Sequence, residues 1–260
     1  MQIEAGAIGV CTATVWEAIA MSRAGIADVF IANEMWGVEK IRCLATEATR
    51  GRLSVAVDNA DNVDDLSWAV VAAGSKLGVV VDVDVGLGRR GVRSVPEALE
   101  LARRIAIAPN LEFLGIMGYE GHCMHELDRQ VRQERVGEAV GLLGEIVDRL
   151  ADIGLECKVV SAGGTGTFDI TGTAPRVTEI QAGSYVFMDN FHRDLVSEFE
   201  QSLTVLSTVV VKHANRIVLD AGNKSIGADH AARSRSYGSD GSDCSIDVLR
   251  IVLQRYPRRR

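Results

Sequence analysis

The sequence predicts a β/α fold of parallel strands, best fitted by an eight-stranded barrel with one strand missing. Short runs of continuously apolar or β-branched residues recur along the chain, as in strands buried on both faces. Amphipathic helical patterns separate most of these runs, and such alternation implies parallel strands joined by right-handed crossovers. The 260 residues suit a barrel in length, yet the series holds seven strands rather than eight. A doubly wound open sheet, which needs no missing strand, is the structural alternative.

Taken in order, the strand runs are 7–12 (AIGVCT), 28–33 (DVFIAN), 53–59 (LSVAVDN), 78–85 (GVVVDVDV), 113–119 (FLGIMGY), 157–162 (CKVVSA) and 177–182 (VTEIQA). Helical patterns over 15–23, 35–49, 63–73, 96–106 and 134–153 alternate with them. Pro96 suits the first position of its helix, where a missing N–H costs nothing. Residues 164–176 are too few and too rich in Gly and Thr for a full helix, and 193–201 is a further helical candidate. The opening MQIEAG reads as the end of a helix with a Gly stop, so the eighth strand is expected before residue 1. Beyond 203 the texture changes. Segments 203–212 (LTVLSTVVVK) and 216–220 (RIVLD), joined through 213–215, read as an antiparallel pair opening a β domain. The Arg/Ser/Gly/Asp-rich end is expected to be poorly ordered, with one short helix over 246–254. The expected division is therefore an incomplete barrel over 1–202, the start of a β domain over 203–230 and a divergent tail over 231–260.

A net charge of −7 argues against nucleic acid or an anionic membrane as partner. No apolar run approaches the roughly 20 residues of a membrane span, and no signal peptide opens the chain. The five cysteines are scattered and never form a CxxC pair, so reduced thiols in a cytoplasmic protein are expected and a zinc cluster is not.

Two stretches carry the chemistry: Ser161-Ala162-Gly163-Gly164-Thr165-Gly166-Thr167 and Glu179-Ile180-Gln181-Ala182-Gly183-Ser184-Tyr185. Each is strand-like at its start and breaks into small, hydroxyl-bearing residues where a strand end exposes backbone N–H groups. Two such ends close in sequence suggest one phosphate held between neighbouring strands. Either alone reads equally well as a Gly-rich turn. Tyr119 also falls at a strand end, as a site residue or as a core tyrosine.

The landmarks Glu4-Ala5-Gly6-Ala7, Glu17-Ala18, Asp82-Val83-Asp84-Val85-Gly86 with Arg89-Arg90-Gly91-Val92, Gly118-Tyr119-Glu120-Gly121-His122, the two stretches above (the second extended to 189) and Leu219-Asp220-Ala221-Gly222 occur in a specific order. In that order the chain resembles the D-threonine aldolase and D-serine dehydratase family, whose barrel is that of alanine racemase, the fold type III pyridoxal-phosphate enzymes. The resemblance implies pyridoxal 5′-phosphate at the C-terminal mouth of the barrel. Thr165, the Gly163-Gly164 backbone and Gly183-Ser184 would grip its phosphate, and Tyr119 would lie along it. Arg89 would bind the ring oxygen or a substrate carboxylate, or is a surface residue beside Arg90. Gln181 stands where alanine racemases carry an arginine on the pyridine nitrogen, which weakens the case for racemisation. His122 is a proton-transfer candidate with structural roles equally open, while His125, His192, His213 and His230 show no metal-ligand spacing. Asp82 and Asp84 point one way by period two and read as a hydrogen-bonded structural pair.

Such enzymes need a lysine for the Schiff base, which in this family lies on the first barrel strand. Lys40, Lys76, Lys158, Lys212 and Lys224 are the lysines present, and none belongs at the C-terminal end of a barrel strand. The family's divalent-metal ligands lie in the C-terminal β domain, beyond the point near 231 where the family pattern stops. The expected function is thus a pyridoxal-phosphate lyase that splits a D-3-hydroxy amino acid such as D-threonine into glycine and an aldehyde, with this chain inactive alone. The alternatives are a non-catalytic pyridoxal-phosphate-binding fragment or pseudoenzyme, a D-serine dehydratase-like lyase, or an unrelated barrel binding another phosphate ester. A small D-amino acid is the expected partner, and a homodimer is plausible.

Overall fold

A computed structural model describes residues 1–188, 190–214, 217–221, 235–237, 243–245 and 251–254. Two compact units divide the chain, 1–181 and 182–260. The first alternates β1 (Val10–Thr12), α1 (Val15–Arg23), β2 (Asp28–Glu34), α2 (Val38–Glu47), β3 (Arg52–Val57), α3 (Ala60–Ala73), β4 (Leu77–Asp82), α4 (Val95–Ile107), β5 (Leu111–Gly118), α5 (Arg129–Asp152), β6 (Val159–Ala162), α6 (Phe168–Thr171) and β7 (Glu179–Ile180). All seven strands lie parallel in one sheet, in sequence order. A doubly wound sheet reverses its strand order at a switch point, and this one does not. Instead it curls until β1 and β7 face each other unpaired. Cys11 Sγ stands 3.8 Å from Gln181 Oε1, beside a cleft of about 80 Å³ lined by both strands.

Helix starts follow their caps. Thr14 and Glu17 make a reciprocal capping box for α1, and Ser94 caps α4 ahead of Pro96. Two helices begin earlier than the sequence suggests. Asn59 accepts from the Asp61 N–H to start α3, and Asp128 accepts from Gln130 and Val131 to start α5. The 164–176 connection holds only the four-residue α6.

Two hydrophobic layers follow from the alternation of strand side chains. Val29, Ile31, Val55, Val57, Val79, Val81, Ile116 and Val160 pack outward against the helices. Phe30, Ala56, Val80, Leu114 and Met117 fill the inside of the curl. Leu114 and Met117 share a face because the ladder shifts register between Val79 and Val80, where Leu114 is the extra, unpaired residue ahead of Gly115. A Cβ at Gly115, whose φ is +148°, would stand 1.9 Å from the Val159 carbonyl oxygen, so only glycine fits. One inner layer then runs level through Asp82, Met117, Ser161 and Glu179. Polar residues thus take over the inner face at the C-terminal strand ends.

In the second unit, a short helix α7 (Asn190–Arg193) precedes β8 (Val205–Lys212), which pairs antiparallel with β9 (Ile217–Leu219) as expected. Strands β10 (Arg235–Tyr237), β11 (Asp243–Ser245) and β12 (Ile251–Gln254) complete the sheet order β11-β10-β12-β8-β9. Two expectations fail here. Residues 195–201 are not helical: Leu195 and Val196 turn back to the His192 carbonyl, and these adjacent residues both bury, which helical spacing does not favour. The segment 251–254 is a strand, matching its β-branched start, while 246–250 lie outside the described residues. Among the described residues, no helix is long and apolar enough to cross a membrane.

Candidate functional site

The β5–β7 side of the mouth is rich in hydroxyls and amides. Tyr119 follows β5 directly, and a Cβ at Gly164 would stand 3.1 Å from Tyr119 Cε2 and 2.8 Å from Met124 Cε. Only glycine at 164 therefore lets the phenol ring lie against this loop. The Tyr119 hydroxyl has no hydrogen-bond partner among the described residues, and the Arg89 guanidinium lies 5.8 Å from the ring centroid. Burial raises the Tyr119 pKa above its ordinary value, the Glu120 charge adds to this, and Arg89 opposes both. Beside it, Gln181 Nε2 donates to Ser161 Oγ at 2.8 Å and approaches Met117 Sδ at 3.7 Å.

Beneath the phenol, the fully buried Glu120 ties the end of β5 to the loop after β6. Its Oε2 accepts the Gly163 N–H at 2.9 Å, and its Oε1 accepts the Thr167 and Thr171 hydroxyls at 2.9 and 2.5 Å. Thr167 Oγ1 in turn accepts the Gly164 N–H at 3.1 Å. The expectation that the Gly163 and Gly164 amides face an anion is corrected here. Both donate within the protein, because a buried carboxyl must be saturated with donors. Thr165 lies buried in the same loop.

The β2–β4 side is ionic. Arg90 Nε lies 2.9 Å from Asp82 Oδ2 and 3.0 Å from Glu34 Oε2, and its terminal nitrogens donate at 2.5 Å to Asn33 Oδ1 and to the Ala32 carbonyl. Burial raises both carboxyls, Glu34 to about 8, and a hydrogen bond to Asp82 holds the Glu34 proton. Asp84 Oδ1 instead accepts the Gly86 and Gly88 N–H groups, and Asp58 accepts the Gly91 N–H. Asp82 and Asp84 are thus not bonded to each other, since each meets nearer donors in the loop after β4.

The structure brings Tyr119, Gly164, Arg89 and Gln181 to the strand ends of the first unit, with Gly163 and Thr165 in the same loop. Arg89 is exposed and Arg90 is the half-buried one. Gly183 and Ser184 belong to the second unit, at the start of a single 3-10 turn over Ser184–Val186. The His122 imidazole lies against Gly86, where an added Cβ would stand 3.1 Å from Nε2, and its buried Nδ1 has no hydrogen-bond partner. Lys40 lies in α2, Lys76 and Lys158 precede β4 and β6, Lys212 ends β8, and Lys224 and His230 lie outside the described residues. Among the described residues, no three or more His, Cys, Asp or Glu are gathered as metal ligands. Sequence reasoning missed the roles of Arg90, Glu34 and Glu120. The available signal was a charged residue at an otherwise apolar strand end, which period two alone does not interpret.

A parallel β/α curl with a tyrosine, a glycine loop and a neutral amide at its C-terminal mouth defines the barrel class of the fold type III pyridoxal-phosphate enzymes. The family model "Alanine racemase, N-terminal domain" matches residues 1–191, and the chain belongs to that family. It is 39% identical over 233 residues to a D-threonine aldolase of Arthrobacter sp, covering 88% of this chain and 62% of the relative. It is 37% identical over 236 residues to a 3-hydroxy-D-aspartate aldolase of Paracoccus denitrificans (strain Pd 1222), covering 86% of this chain and 61% of the relative. The chain thus spans about three fifths of the length of these curated relatives. The crystal structure of D-threonine aldolase from Filomicrobium marinum superposes with a TM-score of 0.87 at 34% identity, over 95% of this chain and 71% of that one.

Proposed function

We propose that this chain provides the cofactor-phosphate side of a pyridoxal-phosphate lyase acting on D-3-hydroxy amino acids. The first reading is cleavage of a D-threonine-like substrate to glycine and an aldehyde. The observation that carries it is the Tyr119 phenol lying on Gly164 with its hydroxyl unpaired, at the strand-end mouth that also holds the Gln181–Ser161 pair. A phosphate ester bearing a flat ring finds there a hydroxyl donor, an aromatic face and a loop without bulky side chains. The cofactor, when bound, supplies an electron sink for charge developing at Cα. Tyr119 and Thr165 would hold the phosphate end. Gln181, already donating to Ser161, would present a neutral amide rather than a cation to the ring nitrogen, which would change how strongly the ring acts as an electron sink. Arg89, exposed at the rim, receives the substrate carboxylate or the ring oxygen. A D-serine dehydratase-like lyase is the alternative on these same residues, and the substrate side chain separates the two.

A second reading is a pyridoxal-phosphate-binding protein without turnover. It is favoured by one observation: among the described residues, no lysine stands at the C-terminal end of a strand of the seven-stranded sheet. Titration with pyridoxine 5′-phosphate, which lacks the reactive aldehyde, tests the shared part of both readings by calorimetry. Saturable binding displaced by inorganic phosphate is expected, and absence of binding overturns both. Release of glycine from D-threonine by the chain supplied with pyridoxal phosphate then separates them, because the second reading predicts none. A homodimer is the proposed assembly, and sedimentation measures it.

A further inference from the structure

We propose that Glu120 is a positioning residue for the anion-binding loop 163–167. It acts through the loop backbone and the two threonines, and does not touch the ligand. The proposal rests on the cofactor reading above. Glu120 immediately follows Tyr119, so one strand end sends a phenol into the mouth and a carboxyl into the wall behind it. That carboxyl is fully buried, and three donors converge on it: the Gly163 N–H, the Thr167 hydroxyl and the Thr171 hydroxyl. Thr167 passes the constraint on by accepting the Gly164 N–H, and its own N–H bonds the Gly164 carbonyl at 3.1 Å. Both ends of the loop are therefore fastened to one group. Gly163 is held at φ +75°, a left-handed conformation that other residues rarely adopt. Gly164 is held where it meets the Tyr119 ring.

The consequence is preorganisation. With both glycine amides committed to Glu120 and Thr167, the loop offers the ligand one fixed surface, on which Thr165 and Tyr119 hold constant relative positions. A loop released from Glu120 must be re-ordered at each binding event, and affinity falls by that cost.

Thr171 gives the cleanest test, because it is fully buried and reaches Glu120 from α6 without facing the ligand. The affinities of Thr171→Val, Thr171→Ser and Glu120→Gln for pyridoxine 5′-phosphate and inorganic phosphate are measured by calorimetry, alongside thermal melts and amide hydrogen exchange at Gly163 and Gly164. Thr171→Val is expected to bind both ligands about fivefold to tenfold more weakly, as loss of one hydrogen bond predicts. Its Gly163 amide should exchange faster, and Thr171→Ser, which restores the hydroxyl, should recover both properties. Glu120→Gln should weaken binding at least as much as Thr171→Val. If Thr171→Val melts lower yet binds with unchanged affinity, the role is structural only and the inference is overturned. Equal losses in Thr171→Ser and Thr171→Val also overturn it. If the unaltered chain binds neither ligand, the cofactor reading falls first and this inference with it.

Discussion

The two flanks of the mouth sit at the ends of strands in the same curled sheet but are built from opposite chemistry. On the β2–β4 flank, one guanidinium answers two buried carboxyls and donates as well to Asn33 and to the Ala32 carbonyl. On the β5–β7 flank, hydroxyls, amides and glycines predominate; the Glu120 carboxyl is hidden behind the loop with its oxygens saturated, and Glu179 lies opposite Ser161 on β7, where burial raises its pKa. Ionic groups can lock a strand end only by neutralising one another, which leaves little to offer a ligand. Neutral donors can be satisfied in part and still present a hydroxyl, as Tyr119 does. The difference assigns scaffolding to one flank and binding to the other.

The strongest way to break this comparison is to remove Arg90. Arg90→Met leaves Glu34 and Asp82 buried without their cation, and should cost about 3–5 kcal/mol in urea unfolding. A loss below about 1 kcal/mol would mean that the ionic flank is not structural. Next in size is Gly164→Ala, whose Cβ must push Met124 and Tyr119 aside. It should cost about 1–3 kcal/mol and displace the phenol, seen as a change in tyrosine near-ultraviolet dichroism.

Proton linkage tests the ionic flank. Glu34 is raised from an ordinary 4.5 to about 8, so the folded state holds its proton more tightly than the unfolded chain does. Its stabilisation is complete below about pH 4.5 and is lost as pH rises through about 8. Denaturation free energies should therefore fall across that window, with a slope below the one-proton limit of about 1.4 kcal/mol per pH unit. Glu34→Gln should flatten the slope, and an unchanged slope would place the proton elsewhere. The smallest effect on stability is expected from Tyr119→Phe. Its hydroxyl has no partner to lose, so unfolding should shift by less than about 0.5 kcal/mol while pyridoxine 5′-phosphate binding weakens.

Much of this was legible from residue order alone. Alternating apolar runs and amphipathic helices gave seven parallel strands, and the Gly/Ser/Thr breaks after Ser161 and Gln181 marked the strand ends that carry the loop and the amide. Tyr119 was visible as a polar residue ending an apolar strand. The start of α5 was not, because a helix start depends on Asp128 reaching two backbone N–H groups, a local geometry that hydrophobic period does not encode. Nor was the commitment of Arg90 to the ionic flank, since adjacent arginines in a loop look alike until the curl brings Glu34, Asn33 and Asp82 to one of them.

The sequence by itself determined the period-two burial, the strand count, the family and the neutral character of Gln181, because each is read from residue types and their order along the chain. Only the tertiary structure decided where the donors go. The Gly163 and Gly164 amides look free for an anion in sequence, yet they bond to Glu120, a residue far earlier in the chain, and to a threonine that Glu120 holds. A hydrogen bond is committed by distance and angle in space, and those are fixed only when the curled sheet sets the ends of β5 and β6 side by side.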